Sequence, residues 1–186
     1  MNFMNIFSLK ALPKLAMATA VTAFFFVSCN LNTSPDKFFG VAVLNTNTIS
    51  DFGTDRLANH IQLQTKEYPD RPSTKKKGDE AATYVNNNVL YMEKVLKDIK
   101  ELPENDDTKE IKDLSLSIYE YVIPVYKNEY TAYAKLCDAK GPEDQKQQII
   151  QNIEKKYVPA FEDKFALLLE KGKAYAQKHD LNVKWD

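Results

Sequence analysis

Apolar residues recur every three to four positions over most of the chain after residue 50, which is the spacing that places them on one face of an α-helix. A shorter helix is predicted over residues 54–67. Three longer stripes follow: Ala81, Val85, Met92, Leu96 and Ile99; then Ile111, Leu114, Ile118, Val122, Val125, Ala132 and Leu136; then Ile150, Ile153, Tyr157, Phe161, Phe165, Leu168, Gly172 and Tyr175. No strand pattern competes with them, so the sequence predicts an all-α domain, a bundle of four helices.

Start and stop signals bound these helices. Asp107, with Glu110 three residues later, has the spacing of a capping box and is predicted to begin the third helix. Pro124 and Pro159 lie inside the two long helices, so we expect a kink at the first and a bend or split at the second. The tail over residues 181–185 alternates apolar and polar positions, which predicts an extended end packed onto the domain.

Residues 1–29 differ in composition from the rest of the chain. They contain Lys10 and Lys14 but no acidic residue, and an apolar run extends from residue 15 to residue 27. A positive start, a short apolar run and a small residue before the cut are typical of a secretory signal, whereas a membrane-spanning helix needs about 20 apolar residues. The first cysteine, Cys29, follows this run.

The stretch AFFFVSCN, residues 23–30, resembles a bacterial lipobox, in which the cysteine sulfur is diacylglycerated, the signal is cleaved before it and the new amine is acylated. Phe26 stands where a typical lipobox has leucine. The resemblance implies that Cys29 carries two or three acyl chains, enough to hold a protein on a bilayer. The alternative is an ordinary signal peptide followed by a chance cysteine.

These patterns predict the domain organisation and the location. We expect a lipoprotein signal peptide over residues 1–28, the lipidated cysteine and a polar tether over residues 29–40, and the helical bundle over residues 41–186. No acidic run follows Cys29 of the kind that resembles a surface-export signal in lipoproteins of Bacteroidota. The predicted location is therefore the cell envelope, anchored to the outer membrane and facing the periplasm.

The charge balance and the histidine positions limit the partners and cofactors that the sequence predicts. The 25 basic and 26 acidic residues are balanced, so no nucleic-acid partner is predicted. His60 and His179 lack the Glu-x-x-His spacing of a di-iron bundle, and neither a metal nor a cofactor is predicted.

Two further reactive residues are interpreted as structural. With Cys29 acylated, Cys137 has no partner and is interpreted as a buried small residue, the alternative being a reactive thiol. Glu129, on the edge of an apolar stripe, is interpreted as a lysine-paired residue rather than a catalytic acid.

The segment YEYVIPVYKNEYTAY places four tyrosines on one helix face, about a quarter turn from the apolar stripe: Tyr119, Tyr126, Tyr130 and Tyr133. Two interpretations are open. The rings are buried because this helix is central and contacts two neighbours, or they form an exposed face that binds a protein or glycan.

The stretches VLNTNTISDF, YEYVIPVYKNEY and GKAYAQKHDLNVKW together resemble helical lipoproteins that are common in Bacteroidota, a group without a settled activity or site residues. The resemblance implies a lipoprotein and an all-α fold. We expect a non-enzymatic binding or structural role in the envelope, with the membrane as one partner and an envelope protein or glycan as another. The alternatives are an immunity-type protein that neutralises an exported toxin and an enzyme with an unrecognised site.

Overall fold

A computed structural model describes residues 33–71 and 74–185 of the chain. The predicted signal peptide and Cys29 lie outside the described residues. In these two ranges the regular elements are helices and no β-strand occurs, which confirms the all-α prediction. None of the helices in these ranges has both the length and the apolar character needed to cross a membrane.

The described residues form six α-helices: α1 Pro35–Ala42, α2 Asp55–Leu63, α3 Glu80–Lys100, α4 Lys109–Val125, α5 Thr131–Asp138 and α6 Glu143–Lys178. A 3₁₀ helix, Leu44–Ile49, lies between α1 and α2, and a π-helical turn, Tyr126–Tyr130, joins α4 to α5. The four predicted helices correspond to α2, α3, the pair α4 and α5, and α6. Because α4 packs against both α3 and α6, it is the central helix.

Helix α1 occupies residues 35–40, the second half of the segment predicted as a tether. The side chain of Ser34 caps it by accepting a hydrogen bond from the backbone N–H of Lys37, and Pro35 fits the first turn. Phe38 and Phe39 are only 1% and 2% exposed. The tether prediction is therefore wrong for residues 35–40, because two aromatic rings on this helix are buried in the core.

The end of α1 and the C-terminal tail pack against the same part of the domain. A Cβ atom on Gly172 of α6 would lie 2.9 Å from Val43 Cγ1, so the glycine permits a close approach at this point. The Trp185 ring meets the Phe39 ring edge-on, with 5.9 Å between centroids, and Leu181 packs against the core. The predicted packed tail is confirmed.

The start of α4 is capped differently from the prediction. The Asn105 side chain accepts hydrogen bonds from the backbone N–H groups of Asp107 and Thr108, and the Thr108 hydroxyl accepts one from the Asn105 N–H. The capping box predicted at Asp107 is therefore wrong. Its carboxylate instead contacts Lys178 and His179, near the end of α6.

The two internal prolines have different consequences. Just beyond Pro124, helix α4 ends at Val125 and a π-helical turn begins, so the α-helical hydrogen-bond pattern is interrupted at the place where a kink was predicted. The Thr131 hydroxyl donates a 2.9 Å hydrogen bond to the Tyr126 carbonyl across this turn. Helix α6 is continuous through Pro159, so the split that was considered there does not occur.

Candidate functional site: the tyrosine cluster and the Asp107–His179 pair

The four tyrosines predicted to share a face form a buried cluster. Their exposed fractions are 0% for Tyr119, 3% for Tyr126, 1% for Tyr130 and 4% for Tyr133. They extend from α4 through the π-helical turn into α5. Buried rings cannot present a surface to a partner, so the hypothesis of a partner-binding face is wrong at these positions and the alternative of buried rings holds.

The tyrosine hydroxyls bind the N-terminal part of the domain. Three of them contact main-chain groups far away in the sequence: Tyr119 donates to Asn45 O at 2.9 Å, Tyr130 accepts from Gly53 N at 2.8 Å, and Tyr133 donates to Ala58 O at 3.3 Å. These acceptors and this donor lie in the 3₁₀ helix, in the loop before α2 and in α2 itself. The cluster therefore fastens the segment over residues 44–63, which has few regular hydrogen bonds outside its two short helices, onto the long helices.

Burial determines the ionisation of these side chains. Loss of solvent raises the pKa of Tyr119 and that of Tyr130 to about 12, and raises the pKa values of Tyr126 and Tyr133 as well. The phenols are therefore protonated at neutral pH. The hydroxyls of Tyr119, Tyr130 and Tyr133 act as hydrogen-bonding groups of the core.

Aromatic and aliphatic side chains pack against the tyrosine cluster around the turn at Gly53. The Phe52 ring lies 6.1 Å from the Tyr130 ring and 4.8 Å from the Phe161 ring, measured between centroids. Gly53 has a φ angle of +78°, and a Cβ atom on it would lie 2.0 Å from Val158 Cγ2. Only glycine fits this position, because the left-handed backbone and the contact with α6 both exclude a side chain.

Cys137 follows the cluster on α5. Its side chain is buried, and loss of solvent raises the pKa of the thiol, while the Tyr133 hydroxyl and Lys146 oppose that shift. A protonated, enclosed thiol is a poor nucleophile. The interpretation of Cys137 as a buried small residue is confirmed.

A second cluster joins the start of α4 to the end of α6. The Asp107 carboxylate contacts Lys178 Nζ at 2.7 Å and His179 Nε2 at 2.6 Å, and the His179 ring lies 4.2 Å from the Tyr175 ring. The hydrogen bond from Lys178 lowers the pKa of Asp107, and the bond to His179 contributes to that shift while partial burial opposes it. Sequence analysis did not predict this pair, because its members are 72 positions apart.

The Asp107 carboxylate lies at the edge of a shallow cavity of about 210 Å³. Its lining includes Glu110, Lys171 and Tyr175. Lys171 Nζ is 2.9 Å from the Glu110 carboxylate, so the cationic group at the entrance is already paired. The cavity thus joins two ion pairs that link α4 to α6, and these pairs hold the helices together at the surface.

Glu129 has a different partner from the one expected. The Tyr157 hydroxyl donates to its carboxylate at 3.4 Å, while the Tyr121 hydroxyl donates to the Tyr157 carbonyl at 3.1 Å. Glu129 is half-buried at the boundary between the π-helical turn and α6. It therefore belongs to a small hydrogen-bonded group of tyrosines. No salt bridge joins it to a lysine among the described residues, although the pKa of the nearby Lys156 is raised by the Tyr157 hydroxyl and also by the Glu129 charge.

His60 lies in α2, and the His179 ring at the end of α6 is hydrogen-bonded to the Asp107 carboxylate. Within residues 33–71 and 74–185, no three His, Cys, Asp or Glu side chains converge as metal ligands would. Comparisons with protein-family models, with curated proteins and with solved structures found no match to this chain. The residues alone therefore support the functional proposal.

Proposed function

We propose that this protein is a cell-envelope lipoprotein, held on the outer membrane by acyl chains on Cys29 and facing the periplasm. The observation that carries the proposal is the sequence of residues 1–29, in which a basic start and an apolar run end at a small residue and a cysteine. The first helix of the described residues, α1, begins only six positions after Cys29, at Pro35. That order matches a removable signal, an anchor and a folded domain.

We propose further that the helical domain has a non-enzymatic binding or structural role. Several of the groups that an enzyme could use are engaged in holding the fold. The Cys137 thiol is enclosed, the Tyr119 and Tyr130 hydroxyls bind main-chain groups, and His179 is paired with Asp107. This use of reactive side chains supports a scaffold that presents a surface.

An envelope protein or glycan is proposed as the partner of that surface. Three large apolar side chains are exposed on the outer sides of α2 and α3, namely Leu63, Leu90 and Tyr91. A photo-crosslinking residue at Leu90 should capture a partner in cells, whereas the same residue at the buried Tyr126 should capture none. Equal capture from both positions would contradict a partner on the outer face of α3.

The anchor is tested with the two cysteines of the chain as a matched pair. Full-length protein should partition into the detergent phase of a phase-separating detergent, because acyl chains add apolar surface that the folded domain lacks. Without the cysteine neither acylation nor cleavage before residue 29 should occur, so Cys29→Ala should retain residues 1–28 and carry no acyl mass, whereas Cys137→Ala should be cleaved, acylated and recovered in the detergent phase. Cleavage before residue 29 in Cys29→Ala to the same extent as in the unmodified protein would contradict the proposal, because an ordinary signal peptide does not need the cysteine.

A further inference from the structure

The first helix begins very close to the proposed anchor. Only the five residues 30–34 separate Cys29 from Pro35, the first residue of α1. The connection from Cys29 to Pro35 spans six residue-to-residue steps, each about 3.5 Å when the chain is fully extended, so it reaches about 21 Å at most. Because acyl chains insert into the hydrocarbon layer, the start of α1 must lie within this distance of its boundary.

Helix α1 is a fixed part of the domain rather than a spacer. Phe38, Phe39 and Ala42 are buried, and Val43 lies against Gly172 of α6. The chain that leaves α1 toward the anchor therefore starts at a defined point on the folded surface. Anchoring at that point restricts which side of the domain can face the lipid.

The side next to this point contains the only tryptophan of the chain. Trp185 is 40% exposed, and its ring meets the Phe39 ring at 5.9 Å, only about one helical turn beyond the start of α1. Lys184, next to Trp185 in the chain, and Lys37, two positions before Phe39, are both exposed. Indole rings favour the boundary between lipid headgroups and hydrocarbon, where one part of the ring is apolar and the N–H is hydrated.

We propose that α1 and the C-terminal tail, residues 181–185, form the surface that rests on the membrane, and that the Trp185 ring enters the lipid interface. This inference depends on the proposed acylation of Cys29. The occupant of the surface is a phospholipid bilayer, because the short connection brings the bilayer to this side of the domain. Contact with the lipid then fixes the orientation in which the outer faces of α2 and α3 are presented.

The single tryptophan makes the test direct. Acylated full-length protein is reconstituted into phosphatidylcholine–phosphatidylethanolamine vesicles, and Trp185 fluorescence is measured with iodide as an aqueous quencher and with brominated lipid as a membrane quencher. We expect a blue-shifted emission, loss of most of the iodide quenching and strong quenching by brominated lipid. Unacylated protein over residues 29–186, produced without residues 1–28 and mixed with the same vesicles, should retain the iodide quenching.

A second reporter provides the matched control. In Trp185→Phe protein with Leu90→Trp, the indole lies on the outer face of α3, where Leu90 is 55% exposed. This reporter should remain open to iodide and be insensitive to brominated lipid in the acylated protein. Insertion of about 20 Gly and Ser residues before Ser34, which lengthens the reach by several tens of ångströms, should weaken the lipid quenching of Trp185.

The outcomes separate the two proposals. If the protein carries no acyl mass, the proposed function fails, and this inference with it. If the protein is acylated but iodide quenches Trp185 equally with and without vesicles, the membrane-facing surface alone is refuted. Equal quenching of both reporters by brominated lipid would also refute it, because no particular side of the domain would then face the bilayer.

Discussion

The hydroxyl of Tyr130 accepts a 2.8 Å hydrogen bond from the backbone N–H of Gly53, although the two residues are 77 positions apart in the chain. This bond joins the π-helical turn to the loop before α2. Tyr119 and Tyr133 make similar contacts with main-chain oxygens of residues 45 and 58. The tyrosines therefore hold the N-terminal segment onto the long helices from inside the domain.

Removing the Tyr130 hydroxyl should destabilise the fold. In Tyr130→Phe the Gly53 N–H loses its partner in a partly buried place, so we expect a loss of about 1–2 kcal/mol in the free energy of unfolding. Chemical denaturation followed by circular dichroism measures it. Tyr91→Phe, at a residue that is 45% exposed, serves as control and should change stability by less than about 0.5 kcal/mol. Equal effects of both variants would contradict the role of Tyr130.

The Gly53 turn should tolerate no side chain. Gly53 and Gly78 both have positive φ angles, but a Cβ atom on Gly53 would overlap Val158 whereas one on Gly78 would meet no atom within 4 Å. Gly53→Ala should therefore cost about 1–3 kcal/mol more than Gly78→Ala, the usual range for overpacking. The comparison separates the clash from the backbone strain that both variants share.

A second variant checks the cause of that difference. In a Val158→Ala background the steric overlap is reduced, so the excess cost of Gly53→Ala should shrink in thermal or chemical unfolding. An unchanged excess would show that contact with α6 is not the reason for the glycine at this position.

One buried hydroxyl should be dispensable. The Ser115 side chain is fully buried in α4, and its Oγ atom has no hydrogen-bond partner among the residues that the structure describes. Ser115→Ala should raise the free energy of unfolding by about 1 kcal/mol, because an unsatisfied polar group leaves the core. Ser117→Ala is the control, since the Ser117 hydroxyl donates to the Leu114 carbonyl at 2.8 Å. A loss of stability in Ser115→Ala equal to that of the control would contradict the assignment.

The Asp107 cluster should make stability depend on pH in the acidic range. Its contacts with Lys178 and His179 lower the pKa of Asp107 below the ordinary value of 3.8. Because the folded-state pKa lies below that of the unfolded chain, the carboxylate contributes stability above pH ~4 that is lost as the pH falls through the folded-state value. The stability gap between unmodified protein and Asp107→Asn should thus be present at neutral pH and shrink as the pH falls from 3.8 through the lower, folded-state value.

The neighbouring Asp106 supplies the control for this prediction. Asp106→Asn removes one negative charge from the same loop without removing the contact to His179. Unfolding curves over the acidic range should show a pH-dependent gap for Asp107→Asn that exceeds the gap for Asp106→Asn. Parallel curves for the two variants would contradict a specific role of Asp107.

The long helices could be predicted from the sequence because burial follows the helical period. Ala81, Val85, Met92 and Ile99 of the predicted stripe are buried in α3, while Leu96 is only half-buried and Val95 takes the core position beside it. A one-residue shift of this kind depends on the direction from which the neighbouring helices approach. The periodicity of a single helix does not contain that information.

Helix α1 was missed because its sequence is short and polar at the start. Asn32, Thr33, Ser34 and Asp36 suggest a spacer, yet Ser34 and Pro35 are also good starting residues for a helix. The pair Phe38 and Phe39 was the available signal, since two adjacent aromatic rings in a polar stretch need burial. Tertiary packing against α6 decided between the two interpretations.

The candidate sites depend even more on tertiary structure. The sequence placed the four tyrosines on one helix face correctly but did not determine whether that face pointed inward, because polar aromatic rings suit both the core and a binding surface. The Asp107–His179 pair could not be predicted from spacing, since the fold alone brings residues 72 positions apart into contact. The signal at Asp107 was interpreted as a helix cap, and Asn105 forms that cap instead.

The attachment of lipid at Cys29 is the central claim, and intact-mass spectrometry of protein extracted from membranes tests it most directly. We predict a mature chain that begins at Cys29 and carries the added mass of a diacylglyceryl group and an acyl group. A chain that retains residues 1–28, or one that begins at Cys29 with no added mass, would contradict the account.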